Sequence, residues 1–266
     1  MILAGKLMAL IFLIAALALL TGFLSGLLGI GGGIIMAPLL LFIPPVMGFE
    51  TLPMQLVAGL TVVQGLLAAV AGAFVHFRLL TVSMRLCKIM GPVIFIAALL
   101  GGAGAKWVAN EILLIVFSML AAIAAFLLFT RRVAEEEYPD VKQVVINPGR
   151  AILTAVAVGG LGGLVGQGGS FLLIPLMIYY VRIPTRIAIG SNLVIVIFST
   201  VAGIIGKSAT GQIDWTLAAP IILTVIPGTL LGSALGHRVQ VLLLRRILAI
   251  LIAVAACRMW WTLLVT

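Results

Sequence analysis

Long apolar runs are the feature of this sequence that most restricts its fold. Several runs continue for about 18 residues or more, the length that a helix needs to cross a bilayer. Only 9 % of the 266 residues are charged, whereas an ordinary soluble domain carries about 25 % to cover its surface. The pattern therefore excludes a soluble enzyme and predicts an all-α polytopic membrane protein.

Ten apolar segments are predicted to be helical, five on each side of one charged stretch. They are predicted at Leu3–Leu28, Ile34–Ile43, Met54–Phe77, Ile89–Ala105, Ile112–Phe129, Ile152–Val165, Phe171–Val181, Ile189–Gly206, Thr216–Leu235 and Ile247–Val265. The stretch between the two sets, residues 131–150, contains four of the seven acidic residues. We interpret it as a charged cytoplasmic linker that joins a first membrane repeat, residues 1–130, to a second, residues 151–266.

The two halves carry the same glycine motif. The pattern G-x-x-x-G-x-x-G-x-G-G-G-x4-P runs from Gly22 to Pro38 and recurs from Gly159 to Pro175, with serine at the last glycine position, Ser170. The offset between the copies is 137 residues here and becomes 131 after a shorter loop, where Gly59 pairs with Gly190. So many coincident glycines indicate an internal duplication.

Charge distribution favours an inverted arrangement of the two copies. The segments after each glycine cluster are about 10 residues long, half of the bilayer core, and suit the returning arm of a re-entrant hairpin. With hairpins, twelve basic residues lie inside and four outside, namely Lys6, Lys106, Lys207 and Arg258; with single crossings the split is 10 to 6. The positive-inside rule prefers the hairpins. Each half then has three full spans, an odd number, so the second copy is inverted, as in many secondary transporters.

The positions of the charged residues also restrict the function. Acidic residues lie at segment ends or in the linker, so no predicted span has a carboxylate near its middle, where cation carriers usually have one. This leaves open a sodium site made of backbone carbonyls. The net charge of +9 reflects cytoplasmic loops rather than a nucleic-acid partner. The two isolated cysteines form no metal-ligand pattern, so we expect no metal, no cofactor and no catalytic residue.

The two glycine clusters are the strongest candidates for a binding site. The wider-spaced glycines, Gly22 and Gly26 with Gly159 and Gly163, are interpreted as close helix contacts. The dense clusters instead release the helical backbone, which is tolerated at membrane depth only beside protein or a water-filled cavity. The helices that restart after them would direct free N–H groups, with a partial positive charge, at a small anion. The candidate substrate-binding residues are Gly31, Gly32, Gly33, Gln167, Gly168, Gly169 and Ser170.

Polar and small residues on the next span of each half form a second candidate set. Thr61, Gly65, Ala68, Gly72 and His76 are spaced for one helical face, and their counterparts are Asn192, Val196, Ser199, Gly203 and Lys207. Such a stripe indicates either helix packing or a lined pathway. We add Thr61, Gln64, Ser191 and Asn192 to the candidate substrate site. His76 and Lys207 are candidates for coupling or gating, with interfacial snorkelling as the alternative.

The paired motifs resemble those of the sulfite exporter TauE/SafE family, also called the toluenesulfonate uptake permease family. The resemblance rests on Gly22–Leu40, on Gly159–Met177 and on the A-I-G-S-N run that ends at Asn192, and it covers both halves. It implies a transporter of sulfite, sulfonates or other small organic anions. The first copy has Ala58-Gly59-Leu60-Thr61 in place of the second run, which weakens the case for Thr61 as a ligand.

These observations predict a secondary transporter in the inner (plasma) membrane that works by alternating access. The resemblance alone implies that it is an exporter and that its substrate is a small sulfur-containing anion, sulfite or an organosulfonate. The residues themselves indicate no direction, and either a proton or sodium suits the role of coupling ion. An anion channel and a transporter of a non-sulfur organic anion are the alternatives. A membrane-embedded enzyme and a structural partner of a larger complex are weaker ones, since the sequence contains no nucleophile–histidine pattern or paired buried carboxylates.

Overall fold

The chain folds into long helices connected by short turns. A computed structural model describes residues 2–31, 33–130, 140–141, 144–166, 170–236 and 238–240, and then 243, 246–247, 249–250, 252–254, 257 and 260–261. The helices are α1 Ile2–Leu28, α2 Gly33–Val46, α3 Met54–Arg78, α4 Met84–Gly104, α5 Asn110–Thr130, α6 Pro148–Val165, α7 Ser170–Leu176, α8 Thr185–Ala209 and α9 Trp215–Gly236. A 3-10 turn, Ala105–Trp107, follows α4, and a π turn, Met177–Val181, continues α7.

These helices confirm nine of the ten predicted segments and correct some of their ends. α4 begins five residues before the predicted segment because the Ser83 hydroxyl caps it, accepting from the backbone N–H of Leu86. α6 begins four residues early, where the Asn147 side chain accepts from the N–H of Arg150. The predicted segments are defined by apolar runs, so they omit the polar first turns of both helices. Most of the tenth segment, and most of the linker at 131–150, lies outside the described residues.

Seven of the described helices are long and apolar enough to cross a membrane: α1, α3, α4, α5, α6, α8 and α9. The apolar helices after the glycine clusters are shorter, as predicted. In both α3 and α8, 78 % of the apolar window is buried inside the protein, against 28–50 % in the other five. α3 and α8 therefore form the centre of the bundle.

Contacts between the halves follow the internal duplication. α1 packs against α9 and its equivalent α6 against α4, the equivalent of α9. A Cβ added at Gly26 would collide with the carbonyl oxygen of Thr229, and one added at Gly163 would lie 2.5 Å from that of Ala98. Gly26 and Gly163 differ by 137 residues, and Thr229 and Ala98 by 131. The interpretation of the spaced glycines as close helix contacts is confirmed.

The same contacts give the relative directions of the helices. Gly22 lies against Val225 and Gly26 against Thr229, so residue numbers rise together and α1 runs parallel to α9. In the centre of the bundle the order is reversed. Gly65 of α3 lies against Thr200 of α8, and Gly203 of α8 lies against Val62 of α3. α3 and α8, which occupy equivalent positions in the two halves, are therefore antiparallel.

Candidate functional site

The predicted polar and small-residue stripes meet where α3 and α8 cross. All ten residues of the two stripes are buried. A Cβ at Gly65 would lie 3.2 Å from a methyl of Thr200, and one at Gly203 would lie 2.9 Å from a methyl of Val62. The stripe glycines thus serve the helix crossing, and of the polar members Asn192 bonds to a neighbouring glycine segment, at Gly29.

The first glycine segment breaks the chain between α1 and α2. Gly29, just after the last residue of α1, has a φ of +66° and Gly31 a φ of +71°, backbone conformations that residues with a Cβ rarely adopt. The N–H groups of Gly29 and Ile30 both bond to the carbonyl oxygen of Ser25, at 2.7 and 3.3 Å. α2 then begins at Gly33, so the predicted break is confirmed. Gly32 lies outside the described residues.

The second glycine segment also begins with a glycine in the left-handed conformation directly after a helix. Gly166 follows α6 with a φ of +83° and is equivalent to Gly29. α7 begins at Ser170. Of the remaining candidates here, Gln167, Gly168 and Gly169 lie outside the described residues.

Each glycine segment lies against the central helix of the other half. The side-chain amide of Asn192, on α8, donates to the carbonyl oxygen of Gly29 at 2.6 Å. Gly166 packs on the backbone of Ala58, on α3, and the Thr61 hydroxyl donates to the carbonyl of that same Ala58 at 3.2 Å. Two of the predicted substrate residues are thus placed beside the segments, each at the segment of the opposite half.

Gln64 links α3 to the end of α1. Its amide nitrogen Nε2 donates to the Thr21 hydroxyl oxygen at 2.6 Å, and that hydroxyl donates in turn to the carbonyl of Leu17 at 2.7 Å. The other amide atom, Gln64 Oε1, is buried without a hydrogen-bond partner in the described structure. Asn192 Oδ1 and the hydroxyl of Ser25 share this property. Three buried side-chain oxygens on residues next to the first segment therefore have free hydrogen-bonding capacity.

Ser191 is occupied by a structural contact. Its hydroxyl accepts from the backbone N–H of Ser83, the N-cap of α4, at 2.9 Å. Its carbonyl accepts from the Cys87 thiol at 3.8 Å. These bonds fix the start of α8 to the start of α4.

His76 and Lys207 lie at equivalent helix ends and have equivalent neighbours. His76 Nδ1 is 2.9 Å from the hydroxyl of Thr81. Lys207 Nζ donates to Gln212 Oε1 at 3.2 Å and to the carbonyl of Leu164 at 3.4 Å. His76 is 8 % exposed and Lys207 is fully buried, so snorkelling does not describe Lys207.

The Lys207 ammonium is held at the carboxyl end of α6. Leu164 is in the last turn of that helix, where unpaired carbonyls carry a partial negative charge that favours a cation. The second glycine segment begins two residues later, at Gly166. The buried positive charge of Lys207 therefore lies beside the start of the second glycine segment.

Sequence reasoning missed Thr21, Ser25 and Gln212. Thr21 and Ser25 are four residues apart and therefore share a face of α1. This spacing could identify them, but the apolar run around them is interpreted only as a membrane span. Gln212 lies in the turn after α8 and is recognisable only through Lys207. In the described part of the chain, no three His, Cys, Asp or Glu side chains are grouped as a metal site.

Comparisons with known proteins agree with this architecture. A family model described as "Sulfite exporter TauE/SafE" matches residues 14–259. The chain is 32 % identical over 244 residues, 91 % of its length and 92 % of the relative's, to a "Probable membrane transporter protein" of Xylella fastidiosa. It is 23 % identical to the "Probable membrane transporter protein YunE" of Bacillus subtilis, over 93 % of its length and 96 % of the relative's. No solved structure matches.

Proposed function

The chain belongs to the sulfite exporter TauE/SafE family of membrane transporters, and from that premise we propose that it is a secondary transporter of a small sulfur-containing anion, sulfite or an organosulfonate. It works in the inner (plasma) membrane as an exporter, a direction that rests on the family description alone. The family and the relatives are transporters rather than enzymes.

The two halves form an inverted repeat, residues 1–130 and 151–266, joined by a cytoplasmic linker at residues 131–150. Support comes from α3 and α8, which are equivalent in sequence yet antiparallel where they cross at Gly65 and Thr200. Rocking of one half against the other about this crossing exposes a central site to each side in turn, as in other inverted-repeat transporters.

The anion binds between the glycine segments, at Gly31–Gly33 and Gly168–Ser170. Lys207 is the observation that carries this proposal, because its ammonium is fully buried and both of its hydrogen-bond acceptors are neutral. A buried charge without a counter-charge costs several kcal/mol, and an ionisable residue inside a membrane bundle generally marks a substrate or ion pathway. An anion at the second segment would supply the counter-charge. The first-turn N–H groups of α2 would supply further donors.

Ligand-induced stabilisation of the purified protein tests this function, since a ligand of the folded state raises the unfolding temperature by mass action. We expect sulfite or a sulfonate such as sulfoacetate or taurine to raise it, and sulfate and chloride to have smaller effects. Lys207→Met should lose the response. Lys88→Met, at an exposed lysine of α4, is the matched control and should keep it.

The outcomes separate the alternatives. A response to lactate alone would favour a non-sulfur organic anion. Slow, saturable uptake into proteoliposomes would exclude a channel. The proposal fails if no anion changes the unfolding temperature and none is transported.

A further inference from the structure

Three residues next to the first glycine segment carry side-chain oxygens without a partner, and two of these oxygens are amide oxygens that cannot donate a hydrogen bond to an anion. Gln64 Oε1, Asn192 Oδ1 and the Ser25 hydroxyl are buried, and none has a hydrogen-bond partner in the described structure. An unpaired buried polar atom costs free energy, so three of them around one chain break point to a ligand.

The orientation of both amides follows from their partners. The Thr21 hydroxyl donates to the carbonyl of Leu17 at 2.7 Å and accepts from the Gln64 NH2 group at 2.6 Å. Asn192 faces the carbonyl oxygen of Gly29, which only accepts, so it too must present NH2. The free atoms are therefore the amide oxygens, which have lone pairs and no proton. An ionised sulfite or sulfonate group also lacks a proton to share with them.

The residues that carry these three oxygens lie next to the same short stretch of backbone. Asn192 is bonded to the carbonyl of Gly29, and the N–H of Gly29 is bonded to the carbonyl of Ser25 at 2.7 Å. The carbonyl oxygen of Gly31 lies 3.6 Å from the Cβ position of Gly65, the residue after Gln64. Residues of α1, α3 and α8 thus meet at the break in the first half.

The repeat shows that this oxygen cluster belongs to one half only. At the offsets of 137 and 131, Thr21 corresponds to Val158, Ser25 to Gly162 and Gln64 to Ile195. Asn192 alone has a polar counterpart, Thr61, and that hydroxyl is bonded within its own helix. A purely structural need for polar groups at a glycine break would apply to both halves.

We propose that the first glycine segment binds a sodium ion through Gln64 Oε1, Ser25 Oγ and Asn192 Oδ1. Neutral hydroxyl, amide and backbone oxygens suit a monovalent cation, whereas Ca²⁺ and Mg²⁺ sites rely on carboxylates. Unwound backbone in transporters supplies carbonyl ligands to Na⁺ in the same manner. The role of this ion in coupling rests on the proposed anion transport, but its binding does not.

The test is the unfolding temperature of the full-length purified protein as a function of NaCl, with choline chloride keeping chloride and ionic strength constant and no other anion added. We expect the unfolding temperature to rise with Na⁺ and to rise less with K⁺. Gln64→Leu and Ser25→Ala should each raise the half-saturating Na⁺ concentration at least tenfold. The matched control is Thr200→Val, which removes a buried hydroxyl that is already bonded to Val196 and should leave the Na⁺ response unchanged.

Equal unfolding temperatures in Na⁺ and choline would overturn the proposal, as would a K⁺ response that equals the Na⁺ response. An unchanged Na⁺ response in both variants would place the ion elsewhere and overturn it too. Ser25→Ala serves if Gln64→Leu does not fold, since it removes a single oxygen. Anion transport that persists without any Na⁺ binding would refute this site and leave the proposed function standing.

Discussion

Asn192 donates a 2.6 Å hydrogen bond to the carbonyl oxygen of Gly29, across 163 residues of sequence. The bond joins the central helix of the second half to the break in the first. Gly29 also packs against Ile189, one turn earlier on the same helix. The first glycine segment is therefore positioned by the opposite half, and a relative movement of the halves would act on it directly.

We expect Asn192→Ala to lower the free energy of unfolding by about 1–3 kcal/mol, the usual cost of leaving a buried polar partner unpaired. The carbonyl of Gly29 would lose this side-chain donor. The unfolding temperature in detergent measures the effect. Thr61→Val is the control at the equivalent position, because its hydroxyl bonds only to Ala58 of its own helix. An equal loss of unfolding free energy in the two variants would show that the bond between Asn192 and Gly29 contributes no more to stability than the hydroxyl of Thr61.

The second prediction concerns the close packing of α6 on α4. A Cβ at Gly163 would lie 2.5 Å from the carbonyl oxygen of Ala98, whereas one at Gly160 would have no atom within 4 Å. Gly163→Ala should therefore destabilise the protein by about 1–3 kcal/mol through overpacking. Gly160→Ala should be neutral or stabilise it by up to about 1 kcal/mol, since alanine is the better helix former. Thermal unfolding of the two variants side by side checks this, and a stable Gly163→Ala protein would contradict the packing.

The sequence predicted those features of the fold that depend on local chemistry. The duplication at Gly22–Pro38 and Gly159–Pro175 is visible because close helix contacts and left-handed breaks both require glycine at fixed spacings. Apolar runs located nine helices, but not the polar first turn of α4 at Ser83. Periodicity also placed Thr61 and Asn192 on buried faces, since the helical repeat determines which residues share a face.

The partners of each polar side chain could not be predicted in the same way. Spacing along α8 does not reveal that Ser191 accepts from Ser83, on another helix. Lys207 lies two residues before the end of α8, a position from which a lysine usually reaches the interface. It is buried instead because its ammonium donates to the side chain of Gln212 and to the carbonyl of Leu164 in the last turn of α6. Those contacts depend on tertiary packing, which the sequence pattern does not specify.

We expect Lys207→Met to separate stability from function. Methionine fills a similar volume without bringing a charge into the protein, so the unfolding temperature should stay the same or rise. Anion uptake into proteoliposomes should fall at least tenfold, because the substrate loses its buried counter-charge. A variant that is both unstable and inactive would indicate a structural lysine. Normal uptake would remove Lys207 from the site.

Cysteine labelling tests the arrangement of the halves in the membrane. Because α3 and α8 are antiparallel, the start of α3 and the end of α8 lie on one side, represented by Thr51 and Ala209. Met84 and Gln240, which follow α3 and α9, represent the opposite side. All four residues are exposed. The distribution of basic residues assigns the first pair to the outside and the second to the cytoplasm.

We expect an impermeant maleimide added to intact cells to label Thr51→Cys and Ala209→Cys, in a background with Cys87→Ala and Cys257→Ala. Met84→Cys and Gln240→Cys should react only after the membrane is opened. Labelling of all four in opened membranes is the control for accessibility. The reverse pattern would turn the protein over in the membrane while keeping the inverted repeat, because each pair would still share a side. Labelling that splits Thr51→Cys from Ala209→Cys would contradict the antiparallel relation of α3 and α8 and with it the inverted repeat.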